Sequence, residues 1–142
     1  KTTYSKILII TPISHNDNLS MLRLCLVCED SDWMPIYIGT STSADEVLFS
    51  YEQGRFDLLM IVVDSNGDQQ FLPNELRKIR SLIKDDEILI FGDSLLPYQD
   101  VIKETGLTPV NNIGELRLAL DRLKVLTEFK PVILHAQPEQ DS

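Results

Sequence analysis

Four short apolar runs constrain most strongly what this chain can fold into: KILII (6–10), PIYIG (35–39), LLMIVV (58–63) and EILIF (87–91). They are rich in β-branched residues and almost uninterrupted by polar ones, the mark of parallel strands covered on both faces. A fifth run, LTPV (107–110), is weaker, because Pro109 removes one ladder donor and so suits an edge strand better than a central one.

The segments between these runs read as helices. Asn16 or Asp17 can cap the first, in which Leu19, Leu22, Leu26 and Val27 recur at helical spacing. Ser43 with Glu46 forms a capping box for the second, which ends near Gly54. The third, 73–84, opens on Pro73 and aligns Leu76, Ile79, Leu82 and Ile83. A short fourth covers 96–105 and stops at Gly106; a long fifth covers 114–129, with Leu116, Leu120, Leu123 and Leu126 or Thr127 along one side. Five (βα) units imply right-handed crossovers and a parallel sheet with helices on both faces. There is no internal repeat and no low-complexity stretch.

Length and charge narrow the function. A chain of 142 residues, 43% hydrophobic, has room for one sizeable core without disulfides or metals. Its formal charge of -9 disfavours phosphate-backbone recognition, so no nucleic-acid partner is expected, and an acidic membrane surface would repel it. No apolar run approaches the ~18 residues of a membrane span, and no signal peptide opens the chain. We expect a cytoplasmic domain over 1–130 and a linker over 131–142, cut from a longer chain that can itself be membrane-anchored.

In doubly wound sheets, ligands sit beyond the carboxyl ends of the strands. The positions to search are therefore Thr11, Pro12 and Ile13; Thr40 and Ser41; Asp64, Ser65 and Asn66; Gly92, Asp93 and Ser94; and Asn111 with Asn112.

Over residues 5–127 the order and pattern of these segments resemble the receiver domains of two-component response regulators. KILII resembles their first strand, FDLLMIVVDSNGD the third strand with its phosphoacceptor loop, ELRKIR the following helix, EILIFGDS the fourth strand and GLTPVNNIGELRLAL the last strand and helix. The resemblance implies a flavodoxin-like α/β fold, five parallel strands in the order 2-1-3-4-5. It also implies a phosphotransfer site. Two acids after strand 1 and an aspartate after strand 3 would hold Mg²⁺, while a hydroxyl ending strand 4 and a lysine ending strand 5 would contact the phosphoryl oxygens.

Matched residue by residue, that site is degenerate. The acid pair falls on Thr11 and Pro12, the hydroxyl on Gly92, and the lysine near Pro109 to Asn111, with no Lys or Arg between Lys103 and Arg117. Counting back from ELRKIR favours Asp64 as the phosphoacceptor; counting forward from Asp57 puts Val62 there. Without converging carboxylates, an acidic rim repels a phosphoryl donor. Asp64 therefore reads as the start of an Asx-type turn, although a shifted cation site using Asp64, Asp68 and Asp93 is a competing reading.

Other candidates give way to structural readings. Cys25 and Cys28 have redox spacing but fall late in a helix, where core thiols are expected. Zinc would need two further ligands, and only His15 and His135 exist, at opposite ends of the chain. His15 has no nucleophile to activate. Trp33 suits a plug at the base of the core. Neither glycine-rich phosphate motif is present, so no cofactor and no metal are expected.

The segment is expected to be a non-phosphorylatable, receiver-like (pseudo-receiver) interaction module with no enzymatic activity of its own. By resemblance, such modules belong to multidomain two-component proteins such as hybrid sensor histidine kinases. They contact adjacent domains, other signalling proteins or a second copy. The expected contact face contains Tyr98, Val101, Val110 and Leu116. The alternative is an active phosphoacceptor at Asp64 with unusual Mg²⁺ ligands, and a third reading is a flavodoxin-like small-molecule binder.

Overall fold

A computed structural model describes residues 5–11, 18–40, 43–63 and 72–136. Five strands, β1 (Ser5–Thr11), β2 (Trp33–Thr40), β3 (Leu58–Val62), β4 (Ile88–Phe91) and β5 (Thr108–Val110), form one parallel sheet in the order β2-β1-β3-β4-β5. This is the expected flavodoxin-like, receiver-like topology, with β5 and its Pro109 at an edge. Among the described residues the helices are α1 (Asn18–Asp30), α2 (Ala44–Gln53), α3 (Leu72–Leu82), α4 (Gln99–Thr105) and α5 (Ile113–Ala136), and a 3-10 turn, Leu96–Tyr98, precedes α4.

All five β3 residues are buried, and alternation divides them between two layers. Leu59 and Ile61 join Leu8, Ile10, Ile88 and Ile90 beneath α2, α3 and α4. Leu58, Met60 and Val62 join Ile7, Ile9 and Leu89 beneath α1 and α5. Burying each such side chain contributes roughly 1.5–3 kcal/mol against the entropy of ordering it. At the entrance to β3, Asp57 donates its backbone N–H to the Lys6 carbonyl (2.9 Å), and Lys6 donates its own N–H to the Asp57 carboxylate (3.0 Å).

The local signals account for the helix ends. The Ser43–Glu46 capping box is formed, Glu46 donating to Ser43 Oγ and Ser43 to Glu46 Oε1. Gly106 closes α4 at φ 72°, a conformation that glycine adopts without the steric cost a Cβ would bring. Trp33 opens β2 almost fully buried, its indole N–H donating to the Leu120 carbonyl at 3.1 Å, so it is the basal plug its position suggested.

Three expectations are corrected. On α1 the buried residues are Met21, Leu24, Val27 and Cys28, whereas Leu22 and Leu26 are more than half exposed; eight of the ten residues 19–28 are apolar, so the pattern leaves no polar face to orient the helix. Helix α5 runs to Ala136, seven residues past the expected end at 129, so 131–136 are helical. Pro131 withdraws one backbone donor, and a helix already nucleated over four turns propagates past that loss. Finally, of the two residues that could continue the α5 stripe, Leu126 is exposed and Thr127 half-buried, so the fully buried stripe ends at Leu123.

Candidate functional site

At the carboxyl end of β1, Thr11 is fully buried, and its hydroxyl lies 3.3 Å from the Tyr37 hydroxyl. The β1–β2 register pairs Ile9 with Tyr37 but Thr11 with Thr40, so β2 carries one extra residue at this end of the sheet. Pro12 and Asp64 lie outside the described residues, as do Ser65, Asn66, Asp68, His15 and Ser41.

The end of β3 is set by register. Val62 pairs with Phe91, and Val63 donates its N–H to the Phe91 carbonyl at 2.9 Å, so Val63 stands level with Gly92. Both valines are buried, Val62 toward α1 and α5 and Val63 toward α2, α3 and α4. Val62, one of the two positions reached by counting, is thus a core side chain.

Gly92 donates its N–H to the Val110 carbonyl at 3.1 Å, joining the ends of β4 and β5. Its α-carbon is walled in: a Cβ there would stand 2.8 Å from Val63 Cγ2, 3.0 Å from Leu95 Cδ2 and 3.1 Å from the Val63 carbonyl oxygen. The volume that a serine or threonine would need at this position is filled by neighbouring apolar atoms. Asp93 and Ser94, which follow, are exposed.

Beyond β5, the two asparagines have structural work. Asn112 Oδ1 accepts the Glu115 N–H at 2.9 Å and so caps α5; Glu115 Oε1 in turn accepts the Asn111 N–H at 2.8 Å. Asparagine followed three residues later by glutamate was readable in the sequence as this cap. Pro109 is exposed on the edge strand.

The four residues expected on the contact face do not form one. Tyr98, Val101, Val110 and Leu116 are each 4% exposed or less and pack into the two core layers. Their spacing is that of the inward faces of α4, β5 and α5, where apolar side chains gain most by leaving water. The apolar side chains that do reach solvent nearby are Leu96 and Leu118, at 76% and 72% exposed. Leu96 borders a cleft of about 480 Å³ between the β4–α4 connection and β5, whose walls include Asp93, Ile102, Lys103 and Pro109. One cation and one anion beside apolar surface suit a docked peptide or helix better than a bare phosphate.

A larger cleft, about 810 Å³, opens at the opposite end, where the strands begin. Four of its charged groups, Asp57, Arg80, Asp86 and Glu87, are bonded within the fold. Arg80 donates to the carbonyls of Thr105, Ile83, Lys84, Asp86 and Gly106 between 2.8 and 3.4 Å, tying the ends of α3 and α4 together. Glu87 accepts from Arg122 and Thr108, at 2.8 and 2.7 Å. Hydrogen bonding from Arg122 outweighs the opposing desolvation and holds the Glu87 carboxyl below the usual carboxylate range. The Tyr51 hydroxyl donates to Asp86 at 2.8 Å; burial first, then the Asp86 charge, pushes its ionisation up.

Both cysteines are free. Cys28 is fully buried, and desolvation followed by the neighbouring Cys25 pushes its thiol up to about 12; Cys25 is half-buried, and its thiol is also raised, mainly by desolvation. Such thiols are protonated and poorly nucleophilic. Among the described residues, no group of three or more His, Cys, Asp or Glu is placed to hold a metal ion, and no helix is long and apolar enough to cross a membrane.

No protein-family model matches the sequence, and no curated protein matches it. Solved structures do. The chain is similar to the chemotaxis protein CheY4 of Vibrio cholerae, at 20% identity over 84% of this chain and 98% of that one, with a TM-score of 0.59. It is similar to the signal receiver domain of an HD domain-containing protein from Pseudomonas fluorescens Pf-5, at 14% identity, 92% and 96% coverage and a TM-score of 0.60. It is also similar to a cobalamin-binding protein from Desulfitobacterium hafniense DCB-2, at 13% identity and a TM-score of 0.65, covering 84% of this chain and 59% of that one. Likeness at these identities establishes a receiver-like fold and leaves the chemistry to the residues of this chain.

Proposed function

We propose that this receiver-like domain is a protein-interaction module of a multidomain two-component signalling protein, such as a hybrid sensor histidine kinase in the cytoplasm, and that it docks without accepting a phosphoryl group. Gly92 carries this reading. The resemblance places a phosphoryl-binding hydroxyl there, and the space is occupied by Val63 and Leu95. Thr11 supports it, since this buried hydroxyl engaged with Tyr37 replaces the carboxylate that a Mg²⁺ site would need. A domain without that site has no aspartyl phosphate to bias its conformations, so its signal would be a docking equilibrium set by differential contacts with partners. The cleft beside Leu96 and Lys103 is the surface we assign to those contacts.

Titration with beryllofluoride or acetyl phosphate in the presence of Mg²⁺, followed by amide NMR, tests the reading. The expected spectrum is unchanged at Gly92 and Ser94. Saturable, Mg²⁺-dependent shifts at those residues would overturn it in favour of a phosphoacceptor at Asp64.

A further inference from the structure

The two edges of the sheet differ in what they leave open. Lys6 directs both of its main-chain groups at Asp57, on the β3 side of β1, so alternation turns the main chain of Ser5, Ile7 and Ile9 toward β2. Ile7 stands level with Pro35 and Ile9 with Tyr37. In a parallel ladder each bonds the residues flanking its partner, so Met34, Ile36 and Ile38 hold β2 to β1. The main chain of Trp33, Pro35 and Tyr37 therefore faces outward, with three carbonyls and, because proline has no N–H, two donors. At the other edge, Val110 accepts from Gly92, so the one outward residue of three-residue β5 is Pro109, and no donor is left there.

The side chains along the open edge are apolar. Met34, Ile36 and Ile38 alternate with Trp33 and Tyr37, which pack toward α1 and α5, and so stand on the α2 face of the sheet. Met34 and Ile36 are 39% and 40% exposed, and Ile38 is half-buried. None of the eight residues of β2 is charged.

The surroundings of this edge are acidic. From the start of α1 to the end of α2, six acidic residues, all exposed, stand against one basic residue, Arg23. Two such flanks repel each other, and Pro35 at the middle of the outward set would leave a donor missing on both strands of a symmetric pair, so a second copy of this chain is a poor occupant. The edge offers more acceptors than donors, and its surroundings favour cations.

We infer that β2 receives a sixth strand from a different protein or domain, an extended, apolar segment flanked by Lys or Arg. Its N–H groups would donate to the carbonyls of Trp33, Pro35 and Tyr37, its apolar side chains would cover Met34 and Ile36, and its basic residues would face the acids of α1 and α2. This surface lies at the opposite edge of the sheet from the cleft beside Leu96 and Lys103, and it requires nothing of the phosphotransfer site, so it stands or falls apart from the function proposed above.

Titration of the full chain with the peptide Arg-Lys-Val-Thr-Val-Thr-Val-Lys-Arg, followed by fluorescence anisotropy and amide hydrogen exchange, tests the inference. The expected result is saturable binding that weakens as salt is raised and is at least about tenfold tighter than for the same peptide with Asp and Glu in place of its basic residues. Exchange is expected to slow at Tyr37, whereas Ile36 and Ile38, already bonded to β1, change little. Ile36→Lys is expected to weaken binding at least about fivefold while far-UV circular dichroism is unchanged. Should that variant lose the fold, the peptide N-methylated throughout, which cannot donate to the edge, is expected not to bind the native chain. No saturable binding, equal binding of the acidic or the N-methylated peptide, exchange slowed around Leu96 and Lys103 instead of at Tyr37, or self-association of the chain that Ile36→Lys abolishes would overturn the inference.

Discussion

Trp33 donates its indole N–H to the Leu120 carbonyl at 3.1 Å, fastening the start of β2 to the middle of α5 across 87 residues of sequence. Phenylalanine would retain most of the ring's burial and lose this bond. Trp33→Phe is expected to cost about 1–2 kcal/mol in urea unfolding followed by circular dichroism. In the native protein, Trp33, the sole tryptophan, is expected to fluoresce as a buried indole and to shift red on unfolding.

Gly92→Ser places a Cβ within 2.8 Å of Val63 Cγ2 and 3.1 Å of a backbone oxygen that cannot rotate away. Overpacking of this kind costs roughly 1–3 kcal/mol. We expect a lower unfolding midpoint and no gain of Mg²⁺-dependent beryllofluoride binding; a neutral or stabilising effect would mean that this strand end is looser than its packing indicates.

Arg80 serves five carbonyl acceptors from the ends of α3 and α4, an arrangement that needs a planar, multi-donor head. Arg80→Ala is expected to destabilise by at least about 2 kcal/mol, and Arg80→Lys by a smaller amount, because one ammonium cannot reach all five acceptors. Equal losses from the two substitutions in urea unfolding would show that the fork geometry is unimportant.

The depressed Glu87 carboxyl gives stability a pH dependence. A group whose folded pKa lies below its unfolded value adds stability that is present above the ordinary glutamate range, near ~4.3, and is lost as pH falls through the folded value. Glu87→Gln is therefore expected to lower Tm at pH 7 and to converge with the native chain as pH falls below about 4. A difference that stays constant down to acid pH would place the effect in packing and not in charge.

Cys28, fully buried and with its thiol pushed up to about 12, is expected to resist a disulfide-exchange reagent at pH 8 in the native state and to react at once in denaturant. Half-buried Cys25 is expected to react slowly. Rapid native reaction of both would sink their assignment as packing groups.

The sheet was legible because its strands are pure: KILII, LLMIVV and EILIF have no polar interior residue, and one pattern suffices to place them. Helix α3 was legible for the converse reason. Its polar residues separate Leu76, Ile79 and Ile83 from the solvent side, and these are buried as the spacing predicts, whereas Leu82, expected in the same stripe, is 38% exposed at the helix end. Helix α1 misled because apolar residues ring it, so the choice between the Leu22/Leu26 face and the Met21/Leu24 face depends on tertiary contacts that no local pattern encodes. The contact face failed on the same ground: residue type placed Tyr98 and Val101 on the right elements but could not say which side faces water. At the strand ends, the place of Gly92 after β4 could be read from the sequence, whereas the packing around it depends on Val63 and Leu95, one of them nearly thirty positions away.

Strand β3 would fit its neighbours almost equally well if it slid by one residue, because both layers would still receive apolar side chains. The reciprocal backbone and carboxylate bonds between Lys6 and Asp57 act as an index mark against that slip: moving β3 by one place would take the carboxylate off the Lys6 amide and leave Phe56 or Leu58 opposite it. Alignment information held in one polar pair at the strand entrance releases the five residues behind it to exchange among aliphatic types.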